Sequence, residues 1–193
     1  LSVETPAETG AEKAYAEFLE LRQKLGAELK GQGAELKELC EGEIAWQGSA
    51  IVLTRDGVRY LYGGDGDENL RGESSNDVLI GNKGDDYLDG GQGDDTYVWN
   101  PGDGNDTIYD GAGKNVLKVG EGVDPSKVEV SRDSYHLYLT FKDTGEKLTL
   151  QYWYSGASYQ MSEIRFADGT TWTAEDASRL ALTIRTPEIG RAH

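Results

Sequence analysis

The 193-residue chain contains one cysteine and two histidines. Cys40 alone can form no disulfide within the chain and supplies no Cys-based zinc site. His136 has no convincing second histidine, so neither a His-based metal site nor a Ser-His-Asp triad can be drawn from the sequence. Basic residues are also scarce. With 19 Lys and Arg against 35 Asp and Glu, the net charge is −16, which excludes nucleic-acid and anionic-membrane binding as the main role. No apolar run reaches 18 residues, so nothing reads as a membrane-spanning helix. The opening Leu1-Ser-Val-Glu-Thr-Pro6 has no initiator Met, no basic stretch and no apolar stretch. It reads as the start of an excised or processed fragment and not as a signal peptide. There is no Gly-x-Ser-x-Gly nucleophile pattern, and no catalytic residue is predicted.

What the chain has in excess is glycine and aspartate. Its 26 Gly are about twice the usual share. Residues 63–115 hold 13 Asp or Glu, 3 Lys or Arg and 13 of the Gly, a charge of −10 within that stretch. Such a segment repels itself and needs a counter-ion to become compact.

The flanks are more ordinary. From Thr9 to Glu41, Tyr15, Phe18, Leu21, Leu25, Leu36 and Leu39 recur at helical spacing. Gly31-Gln-Gly33 should divide this segment into two helices. Ala50-Ile-Val-Leu-Thr54 and Val58-Arg-Tyr-Leu-Tyr62 read as strands around a turn at Arg55-Asp-Gly57. Beyond Val119, strands are expected at Lys127–Ser131, Tyr135–Phe141 and Lys147–Trp153. A second hairpin spans Ser162–Phe166 and Thr170–Trp172, and a helix capped by Thr173 with Asp176 at its third position follows. The expected divisions are a helical segment 1–45, a repeat region 46–119, a β-rich cap 120–185 and a tail 186–193.

The centre is a nonapeptide repeat. The units start at Gly63, Gly72, Gly81 and Gly90 and, after a two-residue insertion at Trp99-Asn100, at Pro101 and Asp110. The eighth position is Leu70, Leu79, Leu88, Tyr97, Ile108 and Leu117; the sixth is Glu68, Asp77, Asp86, Asp95, Asp106 and Asn115. One unit of six turn residues and three strand residues cannot bury a face alone, but stacked units can. Two units per coil place turns 18 residues apart on one another, so their sixth-position carboxylates share a gap with turn carbonyls. About 6–8 oxygens at roughly 2.3–2.6 Å suit calcium and suit magnesium poorly. The fifth-position acids Asp85 and Asp94 should face solvent. Arg59 cannot ligate and should end the array.

These units resemble the RTX nonapeptide, Gly-Gly-x-Gly-x-Asp-x-hydrophobic-x, over about Gly63–Lys118. The run from Gly91 to Asp110 is similar to the last repeat block of haemolysin, leukotoxin and adenylate cyclase toxins. The segment through Trp172 is similar to the region that follows the repeats in haemolysin-type proteins. The resemblance implies a mainly β fold: a right-handed parallel β-roll with an N-terminal helical segment and a C-terminal β-hairpin plus helix cap. It further implies about three to four Ca²⁺ ions, held by carbonyls and sixth-position carboxylates of stacked turns. One site would use Gly64, Gly66 and Glu68 with Gly81, Lys83 and Asp86. A second would use Glu73, Ser75 and Asp77 with Gly90, Gln92 and Asp95. A third would use Asn82, Gly84 and Asp86 with Asp103 and Asp106, and a fourth Gly91, Gly93 and Asp95 with Asp110, Ala112 and Asn115. Glu68, the Glu73-Ser74-Ser75 replacement of three Gly, the insertion and the neutral Asn115 depart from the motif, so the fourth site should be weak.

The function implied is a non-enzymatic calcium-binding module of a larger secreted bacterial protein of toxin or adhesin type. It would be loose at low calcium, exported by type I secretion machinery alongside the upstream domains of its parent, and folded by extracellular calcium. The alternative is a ligand-binding module using the aromatic cap residues Tyr152, Trp153, Tyr154 and Tyr159. A third reading is calcium-triggered self-processing at Asp124-Pro125.

Overall fold

A computed structural model describes residues 43–55 and 57–183. The expected helices before Glu41, Cys40 and the tail lie outside the described residues. Alternation of inward apolar and outward polar residues, with glycine-rich turns every nine, winds the chain into a β-solenoid of about three turns. One sheet stacks β3 (Val58–Tyr62), β5 (Asp77–Ile80), β7 (Thr96–Trp99) and β9 (Val116–Val119) in parallel. The other stacks β4 (Asn69–Arg71), β6 (Tyr87–Asp89) and β8 (Thr107–Tyr109). Leu61 faces Leu79, Leu79 faces Tyr97 and Leu70 faces Leu88, each 18 residues on. Across the insertion the step becomes 20, as in Leu88 with Ile108 and Tyr97 with Leu117. The six eighth-position side chains are buried between the sheets. Each of the aliphatic ones contributes roughly 1.5–3 kcal/mol by leaving water.

Both ends of the roll are closed. At the start, the β1 (Glu43–Gln47) and β2 (Ala50–Arg55) hairpin extends the first sheet antiparallel to β3. The edge of β4 is covered by the Gln47 amide, which accepts from Arg71 N–H and donates to the Arg71 carbonyl, both at 2.9 Å. At the other end the chain supplies one parallel strand to each sheet. β12 (Glu146–Leu150) joins β8, and β13 (Glu163–Phe166) joins β9. β10 (Val128–Arg132), β11 (Leu137–Phe141) and β14 (Thr171–Thr173) complete the sheets antiparallel. The helix α1 (Ala174–Thr183) packs on β10 with Ala177 and Ala181 buried. It starts at the expected capping box: Asp176 N–H donates to Thr173 Oγ1 (3.2 Å) and Thr173 N–H donates to Asp176 Oδ2 (2.9 Å).

Three local expectations need correction. The strand expected over Lys147–Trp153 ends at Leu150, because Tyr152 takes a left-handed φ of 60° and Trp153–Ser155 form a 3-10 turn. There the Trp153 ring is fully buried and its Nε1 donates to Ser178 Oγ (2.9 Å). His136 lies before β11 and not within a strand; its Nδ1 accepts from Tyr152 N–H (2.9 Å). The insertion does not break the roll. Trp99 extends β7, stacks on Phe141 at 4.0 Å and donates from Nε1 to the Gly104 carbonyl at 3.1 Å.

Candidate metal centre

Each nonapeptide enters its strand through a turn, and the turns stack in two columns. One column holds turns 63–68, 81–86 and 101–106; the other holds 72–77, 90–95 and 110–115. Close stacking depends on glycine where the chain takes positive φ. Gly93 has φ +101°, and a Cβ there would strike the Ser75 carbonyl oxygen one coil earlier.

The sixth-position side chains are tied from coil to coil. Glu68 N–H donates to Asp86 Oδ1 (2.8 Å) and Asp86 N–H donates to Asp106 Oδ1 (3.0 Å). In the other column, Asp77 N–H donates to Asp95 Oδ1 and Asp95 N–H to Asn115 Oδ1, both at 2.9 Å. The second oxygen has no such role. Glu68 Oε2, Asp86 Oδ2, Asp95 Oδ2 and Asp106 Oδ2 are buried and receive no hydrogen bond. A buried unpaired charge is among the costliest features a fold can carry. Burial is accordingly the main cause that raises Asp86 and Asp95 to about 8 and Asp106 to about 7. Hydrogen bonds from the preceding coil pull the other way, and neighbouring carboxylates add to the rise.

The donor set is oxygen alone, from carboxylates and turn carbonyls, which fits a hard cation such as calcium. Among the described residues, no three His, Cys, Asp or Glu side chains converge on one point. An ion in these gaps would therefore take much of its coordination from backbone carbonyls.

The turns differ among themselves. In turn 72–77, Ser75 Oγ donates to Asp77 Oδ1 (2.8 Å) and Glu73 N–H donates to Asp77 Oδ2 (3.1 Å), so the chain itself satisfies both oxygens. Arg59 stands opposite Asp77 in the strand register and pairs with Glu73 at 3.4 Å. A built-in cation thus sits at that end of the column. The Glu73 carbonyl accepts from Gln92 N–H (2.8 Å). Asn82 adopts φ 60° and its amide donates to the Gly63 carbonyl (2.9 Å). Asp103 is turned inward and accepts from Asn100 N–H (2.8 Å).

Three contributions escaped the sequence reading. The exposed Asp85 and Asp94 accept from Asn105 N–H (2.9 Å) and Lys114 N–H (2.8 Å), forming a second ladder on the outside of the turns. Glu146 of the cap grips turn 101–106: Oε1 accepts from Gly102 N–H (2.9 Å) and Oε2 from Gly104 N–H (2.5 Å). Tyr97, grouped by sequence with the aliphatic residues, carries its hydroxyl into a turn column. There it accepts from Gly90 N–H (2.7 Å) and donates to Asp110 Oδ2 (2.6 Å). A tyrosine at an inward position otherwise occupied by Leu or Ile, with Asp in place of Gly at position 110, is the sequence signal for that contact.

The proposed aromatic platform is not formed as a set of four. Trp153 is core and Tyr154 lies under the Arg132 guanidinium at 3.3 Å, while Tyr152 and Tyr159 meet Tyr109 at the surface. Asp124 is engaged by the N–H (2.9 Å) and hydroxyl (2.7 Å) of Ser126 in a 3-10 turn.

Comparison with known proteins places these features. Residues 62–97 and 102–124 match the model of the RTX calcium-binding nonapeptide repeat (4 copies). Residues 136–176 match the haemolysin-type calcium binding protein related domain. No curated protein matches the chain. Among solved structures, the extracellular lipase LipA from Serratia marcescens is similar over 58% of this chain and 15% of its own, at 22% identity and a TM-score of 0.24. The chain thus spans a small part of that lipase's length. From its repeats and the domain that follows them, the chain belongs to the haemolysin-type calcium-binding RTX repeat family.

Proposed function

We propose that this chain is the calcium-binding module of a larger secreted protein and that calcium governs its folding. The observation that carries this reading is the set of four buried carboxylate oxygens without donors. Calcium bound in the gaps would supply the positive charge and coordination that those oxygens lack. The chain's own part is to pre-shape the gaps. The hydrogen-bonded ladder fixes one oxygen of each acid and leaves the other pointing at the neighbouring turn. The ligands proposed are the turn carbonyls and the carboxylates of Glu68, Asp77, Asp86, Asp95 and Asp106, with the 86/106 gap flanked by unpartnered oxygens on both coils.

Without the ion, the −10 of residues 63–115 opposes stacking and keeps the segment extended, a state suited to passage through a type I secretion channel. Outside the cell, at the roughly millimolar affinities of extracellular calcium modules, binding stabilises the native state by mass action. In this account the module is non-catalytic and belongs to a secreted parent of toxin or adhesin type. Far-UV circular dichroism during a calcium titration tests the proposal. A cooperative gain of β signal with calcium and none with magnesium is expected. A spectrum that is already fully β in chelator and indifferent to calcium would overturn it.

A further inference from the structure

We propose that the last gap of the 72–77, 90–95, 110–115 column is a calcium site closed by the side-chain carboxylate of Asp110 acting with Asp95. The inference rests on the calcium reading of the repeats and departs from the motif, which would place the second charge at position 115.

Asn115 cannot supply that charge. Its Oδ1 keeps the ladder by accepting from Asp95 N–H at 2.9 Å, and its Nδ2 donates to the Ala112 carbonyl at 2.8 Å. A donor therefore stands where the other turns present a carboxylate oxygen. Asp110 occupies a first position that is glycine in the four rungs from Gly63 to Gly90, yet only 1% of its surface is exposed. Its Oδ1 accepts from Ala112 N–H (3.1 Å) and its Oδ2 from the Tyr97 hydroxyl (2.6 Å). Because that hydroxyl accepts from Gly90 N–H, its own proton is committed to Asp110. Asp95 is likewise 1% exposed, and its Oδ2 receives no hydrogen bond. Asp95 Oδ2 and the Tyr97 hydroxyl converge on one spot: a Cβ built on Gly90 would strike both, the hydroxyl at 2.5 Å. Two buried carboxylates match the charge of one divalent cation, and all the atoms facing the gap are oxygens. The Tyr97 hydroxyl positions Asp110 for this role.

Two measurements on the whole chain decide the matter. In a crystal structure of the calcium-loaded protein, an ion should lie in this gap with an Asp110 carboxylate oxygen within roughly 2.3–2.6 Å. In calorimetric calcium titrations, Asp110→Asn should lose one binding step or weaken it by about tenfold or more, as expected when a site loses a charged ligand. The other steps should be retained. An Asp110→Asn titration that superimposes on the wild type overturns the inference, as does an ion held there by the Asp110 carbonyl alone. Calcium beside Asp86 and Asp106 but absent here would overturn this inference and leave the repeat reading standing. No calcium in any gap would overturn both. If Asp110→Asn fails to fold in calcium, the ion position in the wild-type crystal decides.

Discussion

At the sixth position of each nonapeptide the two carboxylate oxygens have separate tasks. In Asp86, Asp95 and Asp106 one oxygen accepts an amide from the previous coil, and the other is buried without a donor. Shortening or lengthening the side chain would break that division, which explains why Glu68 meets the pattern only partly. Its Oε1 bends back to accept from Gly64 N–H (3.0 Å), and its Oε2 remains unpaired. The same division sets the pH response. Folded without an ion, these acids titrate near 7 to 8, whereas in the unfolded chain they titrate near 3.9. Between those values the folded state holds more protons, so the stability of the ion-free fold falls as pH rises from about 4 through about 8. In chelator, the melting temperature should therefore drop between pH 5 and pH 8, and added calcium should raise it more at pH 8 than at pH 5. A melting temperature in chelator that climbs over this range would contradict the assignment of the buried acids.

At the scale of elements, the roll and the cap are joined through specific side chains as well as through strand pairing. β12 and β13 each continue one sheet. Glu146, at the start of β12, grips the N–H groups of Gly102 and Gly104, and Lys147 N–H donates to Asn105 Oδ1 (2.8 Å). Turn 101–106, which presents Asp106 to its gap, is thus shaped from outside the repeat. Glu146→Ala should cost on the order of 1–3 kcal/mol by leaving two turn amides without their charged acceptor. It should also weaken calcium binding, read as a lower melting temperature and a raised calcium midpoint. A variant that melts and binds as the wild type would show that β pairing alone shapes the turn.

The repeat was legible in the sequence because one strict period carries both the packing residue and the acid, and the capping box of α1 because its two residues sit at fixed spacing. Glu146, Tyr97 and Gln47 were not legible. Their partners lie 42, 13 and 24 residues away and are set by which strand meets which edge. The end of β12 at Leu150 was also hidden, since Tyr152 and Trp153 are good strand residues overridden by burial of the indole against Ser178.

For the molecule as a whole, the account is one of charge against packing. The inward aliphatic column and the two closed ends favour stacking, while a net charge of −16, most of it in the turns, opposes it. Neutralisation within the gaps tips the balance, and the strands of both sheets form together because each coil contributes to both. Backbone amide hydrogen exchange in calcium and in chelator tests this most directly, because the sixth-position amides of Glu68, Asp77, Asp86 and Asp95 donate only to the acid or amide of the next coil. The account predicts that these four amides are strongly protected in calcium and exchange rapidly in chelator. Equal protection in both conditions would contradict it, showing that the coils stack without the ion.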